Sequence, residues 1–226
     1  MSILAHKEPA EIIYPESDGK PMAENDVQYR WIVTIKENLN AMLPDYVASD
    51  LFWYPVEANS YIVQAPDVMV AFGRPKGDRG SYRQWEENNV APAVVFEILS
   101  PSNTYLEMQK KRLFYEQYGV EEYYVYNPQG NVLEVWVRRD NRLHLQPNPD
   151  GWVSPRLGIR FEVNHPQLVL YRPDGERFLT VQELFLERDQ ARHEKEQAVQ
   201  MAETERQRAE LLAERLRALG VDPDQM

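Results

Sequence analysis

Asp67 and Glu97 are the two side chains whose settings suggest chemistry. Glu97 interrupts Ala93-Val94-Val95-Phe96-Glu97-Ile98-Leu99, an otherwise apolar run of the kind that forms a strand buried on both faces. A carboxylate placed there is costly unless a partner or an ion compensates it. Asp67 follows Ala65-Pro66 and leads directly into the short apolar run Val68 to Phe72. Two such carboxylates, if they converge, would chelate a hard divalent cation, Mg²⁺ or Mn²⁺, through oxygen. In phosphodiester hydrolysis that ion would polarise the phosphate, activate a water and stabilise the leaving oxygen. A cationic side chain nearby would orient water or offset charge in the transition state. Lys110 and Lys111 are the natural suppliers, and spacing alone does not choose between them. Each residue also has an ordinary reading. Asp67 after proline fits a turn, Glu97 fits a structural pair with an arginine, and Lys110-Lys111-Arg112 fits a solvated helix face.

The elements that must position these residues are legible in outline. Tyr29, Ile32, Val33, Ile35, Leu39, Met42 and Leu43 recur near helical spacing, so a helix is expected from Asn25 to Met42, closed by Pro44. Strands are expected at Tyr46 to Ala48, Leu51 to Tyr54 and Val68 to Phe72, as a hairpin or meander entering a sheet. The polar stretch Gly73 to Gly80 reads as a loop. After the Glu97 strand, Ser100 to Thr104 turns into a helix from Tyr105 to Tyr118, ended by Gly119. Strands at Val120 to Tyr126 and Val132 to Arg138 follow, then short edge strands. From Val181 to Leu219 neither Pro nor Gly occurs, and one continuous helix is expected. Its partial heptad seam runs through Ala198, Glu205, Leu212 and Leu219, and through Ala202, Ala209 and Leu216. The expected fold is α/β: a mixed, mainly antiparallel central sheet flanked by the first helix and the helix after Glu97, with a long C-terminal helix. The expected division is an extended arm over 1–23, an α/β domain over 24–180 and a helical extension over 181–226.

Composition excludes several alternatives. The 226 residues contain no Cys, so disulfides and thiolate zinc sites are ruled out. The four histidines, His6, His144, His165 and His193, lie far apart. Dinucleotide and P-loop glycine signatures and a Gly-x-Ser-x-Gly elbow are missing. No apolar run is long enough to cross a membrane and the N-terminus lacks signal-peptide features, which makes the cytoplasm the default location. The net charge of −11 argues against tight nonspecific DNA binding. Arg74, Lys76, Arg79 and Arg83 nevertheless cluster in the loop after the Asp67 strand and are the candidate nucleic-acid contacts.

Pro66-Asp67-Val68, Phe96-Glu97-Ile98-Leu99-Ser100-Pro101-Ser102, Lys111 with Tyr115, Gly119-Val120 and Glu122-Tyr123-Tyr124 occur in that order. Together they resemble the Uma-type family of restriction-endonuclease-like proteins within the PD-(D/E)XK nuclease superfamily, over roughly Glu24 to Glu187. The resemblance implies a Mg²⁺- or Mn²⁺-dependent endonuclease acting on DNA. It further implies that Asp67 and Glu97 are metal ligands, that Lys111 is the catalytic lysine, and that the chain forms a homodimer. Glu24 and Lys110 are auxiliary candidates. The chain departs from the superfamily pattern at Leu99, where the motif has a lysine two residues after the glutamate. In this family the lysine is taken to have moved onto the following helix. The competing expectation is a catalytically weak or inactive nuclease-fold protein that assembles with other chains through its C-terminal helix.

Overall fold

The structure is a computed structural model and describes residues 12–17, 19 and 23–218. Most of the expected N-terminal arm and Leu219 of the expected seam lie outside the described residues, as does the side chain of Leu216. In chain order the elements are α1 (Asp26–Met42), β1 (Tyr46–Ala48), β2 (Trp53–Tyr54), β3 (Val68–Ala71), β4 (Tyr82–Arg83), β5 (Val94–Ile98), α2 (Tyr105–Gln117), β6 (Glu122–Asn127), β7 (Val132–Arg139), β8 (Arg142–Leu145), β9 (Arg160–Glu162), β10 (Val169–Tyr171) and α3 (Val181–Ala218). The chain divides into two compact units at Phe178 and Leu179.

The first unit is built on a six-stranded sheet in the order β1-β3-β5-β6-β7-β8. Only β5 and β6 run parallel; the other neighbours are antiparallel, so the sheet is mixed and mainly antiparallel as expected. The parallel pair needs a crossover, which α2 supplies. Side chains alternate between the two faces of the sheet. Val68, Val70, Val94, Phe96, Ile98, Tyr124 and Tyr126 pack with Ile32, Ile35 and Leu39 of α1. Met69, Ala71, Val95, Tyr123 and Val125 pack on the opposite face with Tyr115 of α2 and Trp53. Glu97 shares the parity of Val95, which puts it on the α2 face.

Local chemistry sets the helix ends. The Asn25 side chain accepts the Gln28 amide at 2.9 Å and so caps α1; Thr104 does the same for α2 through the Glu107 amide at 3.2 Å. Gly119, at φ +98°, takes the left-handed turn that ends α2. Arg138 on β7 then donates to the carbonyls of Val120, Tyr115 and Glu116, satisfying the exposed C-terminal end of α2.

One expectation needs correction. The segment Leu51 to Tyr54 does not enter the central sheet: only Trp53 and Tyr54 are strand, and they pair in parallel with β4. β1 reaches past them to pair with β3. The cause is the burial of Trp53 beneath α2, which carries the chain off the sheet. The described part of the arm packs against β2 and the turn after β4. Tyr14 packs against Tyr54 and Trp85, and the Pro15 carbonyl accepts the Tyr54 hydroxyl at 2.7 Å.

The second unit is the 38-residue helix α3 with its lead-in. A capping box starts it. Thr180 N–H donates to Glu183 at 2.8 Å, and the Glu183 amide donates back to the Thr180 hydroxyl at 3.2 Å. Ion pairs one turn apart, such as Arg192–Glu196 and Arg206–Glu210, run along it, while Leu184, Phe185, Val199, Met201, Leu211 and Leu212 are exposed. No described helix is long and apolar enough to cross a membrane.

Candidate active site

Glu97 is 2% exposed in the middle of the sheet, yet both of its oxygens have partners. Lys111 Nζ donates to Oε2 at 2.8 Å and the Tyr115 hydroxyl donates to Oε1 at 2.5 Å. Both donors come from α2, where residues four apart lie on one face. That spacing brings two donors to one carboxylate. Lys110 points elsewhere and is exposed. Burial and the neighbouring Glu97 charge push the Tyr115 hydroxyl well above its ordinary pKa, so it stays protonated and acts as a donor.

Asp67 joins this group through strand register. Val68 pairs with Phe96 in the antiparallel β3–β5 ladder, which puts Asp67 opposite Glu97 on the same face. Its Oδ2 accepts the Ile98 amide at 2.6 Å. Burial first, then the Glu97 charge, push the Asp67 carboxyl well above its ordinary value; Lys111 and the Ile98 amide pull it back only in part. Lys111 is correspondingly raised, because attraction to Glu97 and Asp67 outweighs its own burial. One ammonium thus faces two buried carboxylates and can balance the charge of only one of them.

Glu24, just before α1, and Gln28, in its first turn, approach the same strand end. Glu24 accepts the Ser100 hydroxyl at 2.6 Å and that of Ser102 as well. Gln28 is buried, its amide donating to the Ile98 carbonyl at 2.8 Å and its oxygen accepting the Glu24 amide at 2.9 Å. Asp67 therefore holds the amide of Ile98 and Gln28 its carbonyl. Sequence reasoning missed Gln28 as a site residue, although it precedes Ile32, Ile35 and Leu39 on the apolar stripe of α1, where a polar residue stands out. Tyr115 was likewise missed as a site residue, although it lies four residues after Lys111.

The basic loop does not present four free charges. Arg74 and Arg79 both pair with Glu87, at 2.8 and 2.6 Å, and Arg79 also lies 3.7 Å over the Tyr46 ring. These arginines hold the Glu87 carboxyl below its ordinary value. Lys76 reaches the Asn40 carbonyl, and Arg83 pairs with Glu86 at 3.3 Å. Arg74 and Arg79 thus fasten the loop to the 3₁₀ turn at Gln84–Glu87, which leaves less charge for a phosphate than the sequence cluster implies.

The donor set suits a divalent cation. Two facing carboxylates share one ammonium, leaving the pair one positive charge short. Among the described residues no group of three or more His, Cys, Asp and Glu is placed to hold an ion. Mg²⁺ commonly keeps several waters and takes only one or two carboxylates, so two ligands fit it.

Comparison with known proteins shows the family. The Uma2 family, described as "Putative restriction endonuclease", matches residues 12–166, well over half of the chain. A crystal structure described as a "putative nuclease belonging to DUF820" from Anabaena variabilis ATCC 29413 is similar at 16% identity and a TM-score of 0.43, covering 60% of this chain and 74% of that one. A likeness of that degree carries no argument about activity. No curated protein matches the chain. The family match spans α1, the strands β1 to β9 and every residue of the Asp67–Glu97–Lys111 group, and the chain belongs to the Uma2 family.

Proposed function

We propose that this protein is a divalent-metal-dependent endonuclease that hydrolyses DNA phosphodiester bonds, with Asp67 and Glu97 as the metal ligands and Lys111 as the catalytic lysine. The observation that carries the reading is the convergence of Asp67, Glu97 and Lys111 on one face of the sheet. A bound Mg²⁺ or Mn²⁺ would polarise the scissile phosphate and ease deprotonation of the attacking water. The chain's own contribution is placement. β3 and β5 set the two carboxylates opposite each other, Tyr115 and the Ile98 amide fix their orientation, and Lys111 supplies a positive charge for the phosphate oxygens or the attacking water. Water is the nucleophile, since the Tyr115 hydroxyl beside the acid pair is fully buried and held by Glu97.

DNA as the substrate rests on family membership; the net charge of −11 and the neutralised basic loop are consistent with weak nonspecific affinity. The test is calorimetric titration of Mg²⁺ and Mn²⁺ into wild type and Glu97→Ala, with plasmid nicking by the same preparations. Metal binding and nicking that are both lost in the variant support the reading. A folded wild type that binds neither ion overturns it.

The exposed apolar residues of α3 support a second reading, assembly through that helix. It accommodates a homodimer that cuts both strands, and equally an inactive assembly protein. Truncation after Glu187 tests it, since an unchanged oligomeric mass would remove α3 from the interface.

A further inference from the structure

The two donors on Glu97 differ in their freedom to leave. Tyr115 is fully buried, with its ring parallel to Trp53 at 6.4 Å and 5.1 Å from that of Tyr123. Moving its hydroxyl off Oε1 would open the α2 face of the core. Lys111 reaches Oε2 on a flexible four-carbon stem, and its side chain is 17% exposed. Each Glu97 oxygen already accepts one hydrogen bond, and the Lys111 ammonium at Oε2 repels an arriving cation. Oε2 is the one whose partner can yield.

We propose that Lys111 is the resident counterion of the Asp67–Glu97 pair, and that a divalent cation reaches Glu97 by displacing the Lys111 ammonium from Oε2 while Tyr115 keeps Oε1. The idea rests on the metal-dependent reading above. Lys111 thereby has two positions. Without metal it neutralises the buried carboxylate; with metal it is released toward the open side of α2, where a phosphate oxygen can take it. One charge satisfies the site in turn, and the buried carboxylates are never left without a cation. The arrangement also carries a cost in affinity, because part of the cation's binding energy goes into breaking the ion pair.

The experiment follows the Lys111 amine directly. Full-length wild type is acetylated under limiting reagent with and without saturating Mg²⁺, and labelling is read by mass spectrometry with exposed Lys110 as the internal reference. Calorimetry of Mg²⁺ binding is run alongside on wild type and Lys111→Met. The expected result is a several-fold rise of Lys111 labelling relative to Lys110 when Mg²⁺ is bound, and affinity about tenfold tighter in Lys111→Met, where nothing has to be displaced. If wild type binds Mg²⁺ but Lys111 labelling is unchanged or falls, the displacement is wrong and the metal reading stands. Weaker binding by Lys111→Met has the same meaning. No Mg²⁺ binding by wild type removes both. Should Lys111→Met fail to fold, the labelling of wild type decides alone.

Discussion

Asp67 faces Glu97 across the β3–β5 ladder, and its Oδ2 accepts the amide of Ile98, the residue next to its partner. The acid pair is thus a consequence of strand register, and a slip of β3 by one residue would turn Asp67 onto the α1 face, away from Glu97. Burial and the Glu97 charge raise the Asp67 carboxyl, which has a consequence for stability.

A carboxyl whose folded pKa is raised binds its proton more tightly in the folded state. Its stabilising effect is complete below the ordinary value of 3.8 and is lost as pH climbs through the raised one. Asp67→Asn should therefore raise the melting temperature of the metal-free protein at pH 8, by an amount that shrinks as pH falls toward 4. Thermal melts in EDTA across that range check this, and a destabilised variant at pH 8 would contradict it.

Truncation and isosteric replacement of Glu97 should separate. Glu97→Ala leaves the Lys111 ammonium and the Tyr115 hydroxyl unpartnered and should cost about 3 kcal/mol in urea unfolding. Glu97→Gln keeps an acceptor for Tyr115 and should cost about half of that. Both should lower nicking by roughly a thousandfold, the weight of several kcal/mol of transition-state stabilisation. Equal stabilities would mean that the two α2 donors do not depend on the carboxylate.

Gln28 ties α1 to the strand end behind the acids. Gln28→Leu should cost about 2 kcal/mol, since the buried Ile98 carbonyl and Glu24 amide each lose a partner. Gln28→Glu should be at least as harmful, because it sets an acceptor against that carbonyl. Unfolding of the two variants by urea gives the comparison, and a neutral Gln28→Leu would sink the claim.

The basic loop should split into structural and substrate-facing members. Arg79→Ala removes the Glu87 pair and the contact over Tyr46, and should cost about 1 kcal/mol of stability. Lys76→Ala and Arg83→Ala should leave stability nearly unchanged, and each should reduce the salt slope of DNA binding by about one. Fluorescence anisotropy at several salt concentrations, beside thermal melts, distinguishes the two groups.

Much of this protein was legible before its fold. Glu97 announced itself because a lone charge inside an apolar strand has few inexpensive explanations, and the helix termini at Asn25, Thr104 and Gly119 are written in local capping chemistry that neighbouring residues complete among themselves. What the linear order could not supply was partnership at a distance. Lys110 and Lys111 are equivalent by composition, and only the rotation of α2 over the sheet turns Lys111 and Tyr115 toward Glu97 and Lys110 toward solvent. The loop arginines looked like a free positive patch until Glu87 folded back between Arg74 and Arg79. Trp53 and Tyr54 resembled a sheet strand until the space beneath α2 took the indole. Local propensity and burial pattern are properties of a short segment and survive in the sequence; hydrogen bonds and ion pairs between segments depend on register and helix rotation, which exist only once the whole core has packed.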